Sequence, residues 1–175
     1  STSTQGGGGG GRIAIILTTG GADFSSFTGT LRAFGGDSLS GNNERGAAGT
    51  VYMQSQPQGS TNGTLIIDNN NYVVFNNEVS TDITGTVSGV DVGDVIIRNN
   101  AILELSGTLA TFTVSGTWLN QATQVHTAGT VIFDGGQAQS VTTSTGTFFN
   151  VEVTNADSAG VTFEDATEFN NFRDV

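Results

Sequence analysis

The sequence contains no lysine and no cysteine, and it has only one proline, one histidine and one tryptophan among its 175 residues. The absence of cysteine excludes disulfides and thiol chemistry, although it does not identify a cellular compartment. No apolar run approaches the roughly 20 residues that a membrane-spanning helix needs. Ser1 to Gln5 and the glycines that follow contain no apolar signal-peptide core. We therefore expect no membrane insertion, and we interpret the start as the cut edge of a longer precursor.

Positive charge is also scarce, because five arginines face 16 acidic residues and the formal net charge is −11. Residues 1–70 hold four acids and three arginines, a net charge of −1, whereas residues 71–175 hold twelve acids and two arginines, a net charge of −10. An acidic surface repels phosphate backbones and anionic lipids. The composition therefore argues against nucleic acid as a partner and leaves divalent cations and neutral glycans open.

What the sequence has in abundance is glycine, with 26 residues, together with threonine, asparagine and valine. β-Branched residues favour pleated strands, and glycine and asparagine tolerate the positive φ angles of tight turns. This composition predicts an all-β protein of many short strands rather than a helical one.

A tripeptide of glycine, threonine and an apolar residue recurs along the chain and is the main internal repeat. Its eight copies start at Gly29, Gly49, Gly63, Gly85, Gly107, Gly116, Gly129 and Gly146. Repeats of about this length with variable loops are typical of stacked solenoid coils. The pattern predicts a single elongated domain, a right-handed parallel β-helix, in which glycine turns the corner and the apolar residue enters the core.

Aligning the copies predicts which side chains share a face. The predicted inward column contains Ile13, Leu31, Val51, Leu65, Val87, Leu109, Trp118, Val131 and Phe148. The predicted outward column contains Ala14, Arg32 and Tyr52. Trp118 is accordingly expected in the core, and His126 on a solvated strand.

A second motif consists of two isoleucines, a variable residue and paired asparagines, at Ile66 to Asn70 and Ile96 to Asn100. Asparagine adopts left-handed backbone conformations readily and forms local hydrogen bonds. We expect these pairs to mark corners between faces and to stack on one another. The longer segments 35–48 and 54–62 are rich in glycine, serine and asparagine and are predicted to be exposed loops.

The stretches GGGGGGRIAI, FTGTLRAFGGDSLSGNNERGAAGTVYM and GTLIIDNNN, followed by AGTVIFDGGQAQSVTTSTGTFFNVEVTNADSAGVTF, resemble repeats of very large bacterial surface proteins. Those proteins belong to the right-handed β-helix, pectin-lyase-like class, and the resemblance covers most of residues 6–165. It implies a secreted or cell-surface location. Members of the class include polysaccharide lyases, hydrolases and adhesins, and related modules bind carbohydrate.

Catalysis is not expected. A β-helix polysaccharidase needs clustered aspartates beside basic groups, and residues 71–175, which hold most of the acids, contain almost no basic residues. Two acidic groups could supply the hard oxygen ligands that calcium prefers, although a solvated acidic face is the preferred interpretation. They are Asp91 with Asp94, and Glu164 with Asp165 and Glu168. Calcium is therefore a possible ligand, and no other cofactor is predicted.

Carbohydrate binding by a β-helix would need an outward aromatic side chain flanked by polar ones. Tyr52 is the first candidate, with Arg32 and Gln54 beside it in the aligned columns, and Tyr72 is the second.

The domain prediction is a Gly-rich lead-in over residues 1–11 and a β-helix over 12–175, near-neutral to about residue 70 and acidic beyond it. We expect a segment of a longer protein that acts as a structural or adhesive stalk or fibre, in contact with polysaccharide or with neighbouring domains. The alternative is a non-catalytic carbohydrate-binding module attached to a polysaccharide-degrading enzyme, and a lyase or hydrolase ranks third.

Overall fold

The computed structural model describes residues 6–38, 45–74, 79–83, 89–107, 110–144 and 146–175. As predicted, the described chain is all-β and winds into a β-solenoid of parallel stacked strands. These residues contain no α-helix, and one 3-10 turn spans Gln56–Gln58. The strands are β1 (Arg12–Ile16), β2 (Thr50–Gln54), β3 (Thr64–Asp68), β4 (Thr81–Asp82), β5 (Val90–Val92), β6 (Val95–Arg98), β7 (Ile102–Leu105), β8 (Thr111–Val114), β9 (Trp118–Asn120), β10 (Thr123–His126), β11 (Thr130–Phe133), β12 (Gln139–Thr142), β13 (Thr147–Val153), β14 (Val161–Phe163) and β15 (Glu168–Asp174).

The described strands form three sheets, which are the three faces of the solenoid. Sheet 1 has the order β1-β2-β3-β6-β9-β12-β14, sheet 2 has β10-β7-β4, and sheet 3 has β15-β13-β11-β8-β5. One coil runs through a strand of each sheet, as in β6, β7 and β8. Side-chain hydrogen bonds between adjacent coils join residues 21 to 24 positions apart. The repeat unit is therefore a whole coil of about this length.

The core runs along the inside of the three sheets, because alternate residues of each strand point inward. In sheet 1, Leu65 pairs with Val95 and Val95 with Trp118, so the inward positions stack into a column. Trp118 is fully buried, as predicted, and lies edge-on to Phe112 (ring centroids 5.9 Å apart) and Phe148 (5.3 Å).

The paired asparagines form the expected corners. Asn70, Asn71, Asn99 and Asn100 all have φ between 52° and 60°, the left-handed region. The Asn100 side-chain amide donates to the Asn71 carbonyl of the neighbouring coil at 3.0 Å. The sequence Val74-Phe75-Asn76-Asn77 has a similar pattern of two apolar residues and paired asparagines, but it lies mostly outside the described residues.

The prediction that every Gly-Thr-apolar copy opens the same column is wrong. Gly63 and Gly116 precede strands of sheet 1, whereas Gly129 precedes β11 of sheet 3. Gly146 leads into β13, where the Gln124 side chain of β10 donates to the Thr147 carbonyl at 3.4 Å. The tripeptide therefore marks corners on several faces, because any corner that turns into a strand needs the same three residue types. Val87, Thr108 and Leu109 lie outside the described residues.

The facing predicted for β2 is also wrong, because β2 and β3 pair in the antiparallel direction. Their register places Tyr52 opposite Leu65 and Val51 opposite Ile66. Directly paired residues share a face of the sheet, so Tyr52 points towards the solenoid core while Val51 and Met53 point outward. Tyr52 packs against the main core cluster accordingly.

Residues 6–11, 31–38 and 45–49 form a three-segment arrangement, here called the glycine bundle, with no regular strand. Each segment bonds both others through the backbone: Gly36 donates to the Gly8 carbonyl (2.7 Å), Gly46 to that of Gly36 (3.1 Å), and Gly10 to that of Ala47 (2.8 Å). A Cβ atom added at Gly49 would lie 1.8 Å from the Gly11 carbonyl oxygen. Only glycine permits this spacing, as at the axis of the collagen triple helix.

The glycine bundle lies over the first coil of the solenoid, which runs through β3, β4 and β5. The Thr81 hydroxyl donates to the Ala48 carbonyl at 2.7 Å, and the Gly35 amide donates to the buried Asn69 side chain at 3.0 Å. Ala48 itself belongs to the core cluster. The bundle therefore covers the apolar cross-section that the first coil presents.

The last coil presents a partly exposed apolar end. Phe163, Phe169 and Phe172 contact one another, with Phe163 and Phe169 centroids 5.0 Å apart, and Phe172 is 51% exposed. An inward column that runs through Phe133 and Val153 ends in Asp174. Inward-pointing charges on an outermost strand discourage further pairing.

In the described part of the chain, no helix has the length and apolar character required to cross a membrane.

Candidate functional site

A groove lies on the outer face of sheet 1, where the outward side chains of β2 and that of Ile66 on β3 are apolar. We call it the Arg32 groove. Its floor contains Val51, Met53 and Ile66, and its volume is about 480 Å³. The other lining residues are Phe27, Gly29, Thr30, Leu31, Arg32, Ala33, Phe34, Gly49, Asp68, Asn70 and Arg98. The volume falls within the range of about 300–1,000 Å³ that is common for small-molecule sites.

The wall of the groove is the segment 27–34, which crosses the outer face of the sheet without forming a strand. Two contacts fix the preceding loop: the Gln56 amide donates to the Ala22 carbonyl (2.9 Å), and the Gly21 amide donates to the Gln56 side chain (2.9 Å). The end of the wall is already part of the glycine bundle, where the Gly49 amide donates to the Ala33 carbonyl at 2.5 Å. The wall is therefore held at both ends.

The charged groups of the groove are Arg32, Arg98 and Asp68. Arg98 pairs with Asp68 at 2.8 Å, and Asp68 also accepts hydrogen bonds from the Asn99 side chain and the Asn70 amide. Partial burial would raise the pKa of the Asp68 carboxyl, but these hydrogen bonds and the guanidinium hold its pKa below the ordinary value. Among the described residues, Arg32 has no carboxylate within ion-pair distance. The groove thus carries one uncompensated positive charge.

The four residues predicted to bind sugar do not come together. Arg32 lines the groove, whereas Tyr52 points to the opposite side of β2. The Tyr52 hydroxyl donates to the Gln54 side chain (2.8 Å) and accepts from the Gly63 amide (3.0 Å), so both polar groups take part in internal contacts. Tyr72 lies beside the glycine bundle, edge-on to Phe34 and under the guanidinium of Arg45, 5.0 Å from its ring centroid.

Two of the five predicted calcium ligands bond adjacent coils together. Asp94 accepts the Thr117 amide at 2.8 Å and the Thr64 hydroxyl at 3.3 Å. Asp165 accepts the amides of Thr143 (3.0 Å) and Ser144 (2.6 Å). The slight burial of Asp165 would raise the pKa of its carboxyl, but these donors lower it overall. Each carboxylate thus satisfies backbone groups of a neighbouring coil.

The other three predicted ligands are dispersed. Asp91 is exposed on β5, Glu164 accepts the Ser140 hydroxyl at 3.1 Å, and Glu168 stands at the start of β15 opposite Thr147. Burial raises the pKa of the Asp134 carboxyl, and the nearby Asp91 carboxylate raises it further. Across the described ranges, no three His, Cys, Asp or Glu side chains are grouped closely enough to hold a metal ion.

His126 is buried rather than solvated, which corrects the sequence prediction. It is 8% exposed, lies edge-on to the rings of Phe148 and Phe149, and accepts the Phe149 amide at Nδ1 (3.0 Å). Its Nε2 atom has no hydrogen-bond partner within the described structure. Burial lowers the pKa of this imidazole, although the nearby Ala128 and Gly129 backbone partly opposes the shift. The histidine is therefore a core residue.

Sequence reasoning missed the groove floor and the ion pair beside it. The ion pair had a signal, because Asp68 and Arg98 occupy the same variable position in the two Ile-Ile-x-Asn-Asn motifs and pair in register. The groove floor had no such signal in the sequence, because it depends on the antiparallel pairing of β2 with β3.

Comparison with known proteins yields no matching family model, curated protein or solved structure.

Proposed function

We infer that this chain is a non-catalytic structural module, a stalk or fibre segment of a secreted or cell-surface protein. The observation that carries this inference is the use of the polar side chains between coils. Asp94 and Asp165, two of the five predicted calcium ligands, accept hydrogen bonds from the backbone of adjacent coils. Such contacts stabilise stacking and leave little free for a substrate.

The buried side-chain amides of Gln139 and Asn120 also join adjacent coils. The Gln139 side chain accepts the Gly135 amide at 2.8 Å and donates to the Val114 and Gly116 carbonyls. Asn120 donates to the Thr143 carbonyl of the next coil at 2.9 Å. A solenoid in which each coil contacts only its neighbours acts as a spacer whose length follows from the number of coils. The extracellular location rests on the resemblance of residues 6–165 to surface-protein repeats.

A spacer should tolerate the loss of one whole coil. Deletion of residues 95–117 joins Asp94 to Trp118, which already occupies the position of Val95 in the stack. We expect a cooperatively folded protein, shorter along the solenoid axis by one strand spacing of about 4.8 Å. Thermal melting monitored by circular dichroism and small-angle X-ray scattering would measure both properties.

The matched control deletes residues 95–105, about half a coil, which leaves the following strands on the wrong faces. We expect this variant to unfold. Equal stability of the two deletions, or collapse of the whole-coil variant, would contradict the structural proposal, because the coils would then not be interchangeable units.

A further inference from the structure

The Arg32 groove combines two features that a purely structural segment does not need. Its floor contains the partly exposed apolar side chains of Met53 and Ile66, beside the buried Val51, on the outside of a solenoid that keeps most large apolar residues inside. At its edge stands Arg32, one of five cations in a chain with net charge −11. Three of the others, Arg45, Arg98 and Arg173, pair with carboxylates.

The geometry points to a binding site for a small monocarboxylate whose apolar body lies on the partly exposed Leu31, Met53 and Ile66. A guanidinium presents parallel N–H donors that match the two oxygens of a carboxylate, and this pairing is among the stronger hydrogen-bonded contacts in proteins. Arg98 is already neutralised by Asp68 at 2.8 Å, so the free charge in the groove is that of Arg32. One net positive charge suits a singly charged anion better than a phosphate.

The surroundings of the groove favour the same class of ligand. Residues 1–70, which supply all of its lining except Arg98, carry a net charge of −1, so the strongly acidic half of the chain lies elsewhere in the sequence. The apolar side chains of the lining add the hydrophobic effect, because a ligand that covers them removes apolar surface from water. This inference goes beyond the structural role and does not depend on it, because a stalk segment can carry a ligand site.

Octanoate is a suitable probe, and its uncharged amide, octanamide, controls for apolar burial alone. Isothermal titration calorimetry should show saturable binding of octanoate with at least about tenfold lower affinity for octanamide, since a charge-assisted hydrogen bond contributes about 1.5–3 kcal/mol. Two-dimensional amide NMR should show the largest shifts at Ile66 and Asn70, which line the groove.

Two arginine variants separate the site from general charge. Arg32→Gln should weaken octanoate binding at least about tenfold, with an unchanged melting temperature because the side chain is exposed. Arg12→Gln removes another exposed arginine, on β1 outside the groove, and should leave binding unchanged. An equal loss in both variants would show a nonspecific charge effect and overturn the inference.

Other results would also overturn it. They are an absence of saturable octanoate binding, equal affinity for octanoate and octanamide, or NMR shifts outside the groove. Binding of a neutral oligosaccharide at Arg32 without octanoate binding would replace the carboxylate by a sugar. None of these outcomes affects the coil-deletion experiment, so the two proposals fail independently.

Discussion

The glycine bundle and the solenoid that it covers are held together in opposite ways. In the bundle, three segments contact one another through their backbones, and a Cβ atom at Gly35 would lie 2.0 Å from the Gly46 carbonyl oxygen. In the solenoid, the backbone ladder sets the spacing between coils and large side chains fill the interior, with Trp118, Phe112 and Phe133 fully buried. One region depends on the absence of side chains and the other on their presence.

This difference shows how one chain can close an end of its own stack of coils. A coil of the solenoid exposes an apolar cross-section that needs a cover. The glycine bundle supplies carbonyl and amide groups to polar residues at its base, such as Asn69 and Thr81, and the side chain of Ala48 to the core. At the opposite end, Phe172 stays half exposed.

The largest effect is expected in the side-chain region. Trp118→Ala removes ring contacts with Phe112, Phe133 and Phe148 and leaves the Gln124 oxygen without its 3.0 Å donor. Large-to-small changes of this kind cost about 3–5 kcal/mol of the free energy of unfolding. Urea denaturation would measure it. Trp118→Phe, which keeps one aromatic ring and loses the N–H donor with the rest of the indole, should cost less than half as much; a loss below about 1 kcal/mol for the alanine variant would contradict this account of the core.

A single methyl group should produce the next largest effect, in the backbone region. Gly49→Ala places a Cβ against the Gly11 carbonyl oxygen at 1.8 Å, with rigid backbone on both sides, so we expect a loss of about 3 kcal/mol. Hydrogen exchange should show that the amides of Gly36 and Gly46 lose protection while that of Val95 keeps it.

Gly9→Ala is the matched control for the glycine bundle, because a Cβ there meets no heavy atom within 4 Å. It should change the free energy of unfolding by less than about 1 kcal/mol. If Gly9 and Gly49 tolerated alanine equally, close backbone contact would not be what holds the three segments.

Acid should weaken the solenoid in two separate pH windows. The folded-state pKa of His126 lies below its ordinary value of 6.5 because of burial, so the unfolded chain binds a proton that the folded chain does not. Stability should therefore fall as pH drops below about 6.5, by at most about 1.4 kcal/mol per pH unit. The pKa values of Asp68 and Asp165 lie below their ordinary value of 3.8, so their contribution is present above that pH and is lost as pH falls through their folded pKa values.

Urea titrations between pH 3 and 8 would resolve the two windows. His126→Gln should remove the upper window and leave the lower one. A variant that retained the loss between pH 6.5 and 5 would show that another group titrates there.

The smallest effect is expected at the exposed end. Phe172→Ser removes a ring that is 51% exposed and should lower the free energy of unfolding by about 1 kcal/mol, because only about half of its surface is buried on folding. Light scattering at high protein concentration should show less self-association, since exposed apolar groups at strand edges promote it. A loss close to that of Trp118→Ala would mean that this ring belongs to the core.

Much of the solenoid was predictable, because its rules are local. Alternation in Leu103 to Leu105 and the left-handed preference of the Asn99–Asn100 pair depend only on neighbours in the chain. The candidate site was harder to predict from the sequence. Arg32 was singled out from the sequence and lines the groove, but Tyr52 was assigned to the same face, since the alignment assumed that all coils run in one direction.

The sequence alone determined that this protein is all-β, built from coils with corners at glycine and asparagine, because strand alternation and turn chemistry are properties of short segments. The tertiary structure alone decided where the glycines of residues 6–11 and 45–49 pack and which way β2 runs. Both depend on contacts between separate segments, about 10 to 40 residues apart in the chain. The antiparallel pairing of β2 turned Tyr52 inward and Val51 outward, and the Arg32 groove exists because of that reversal.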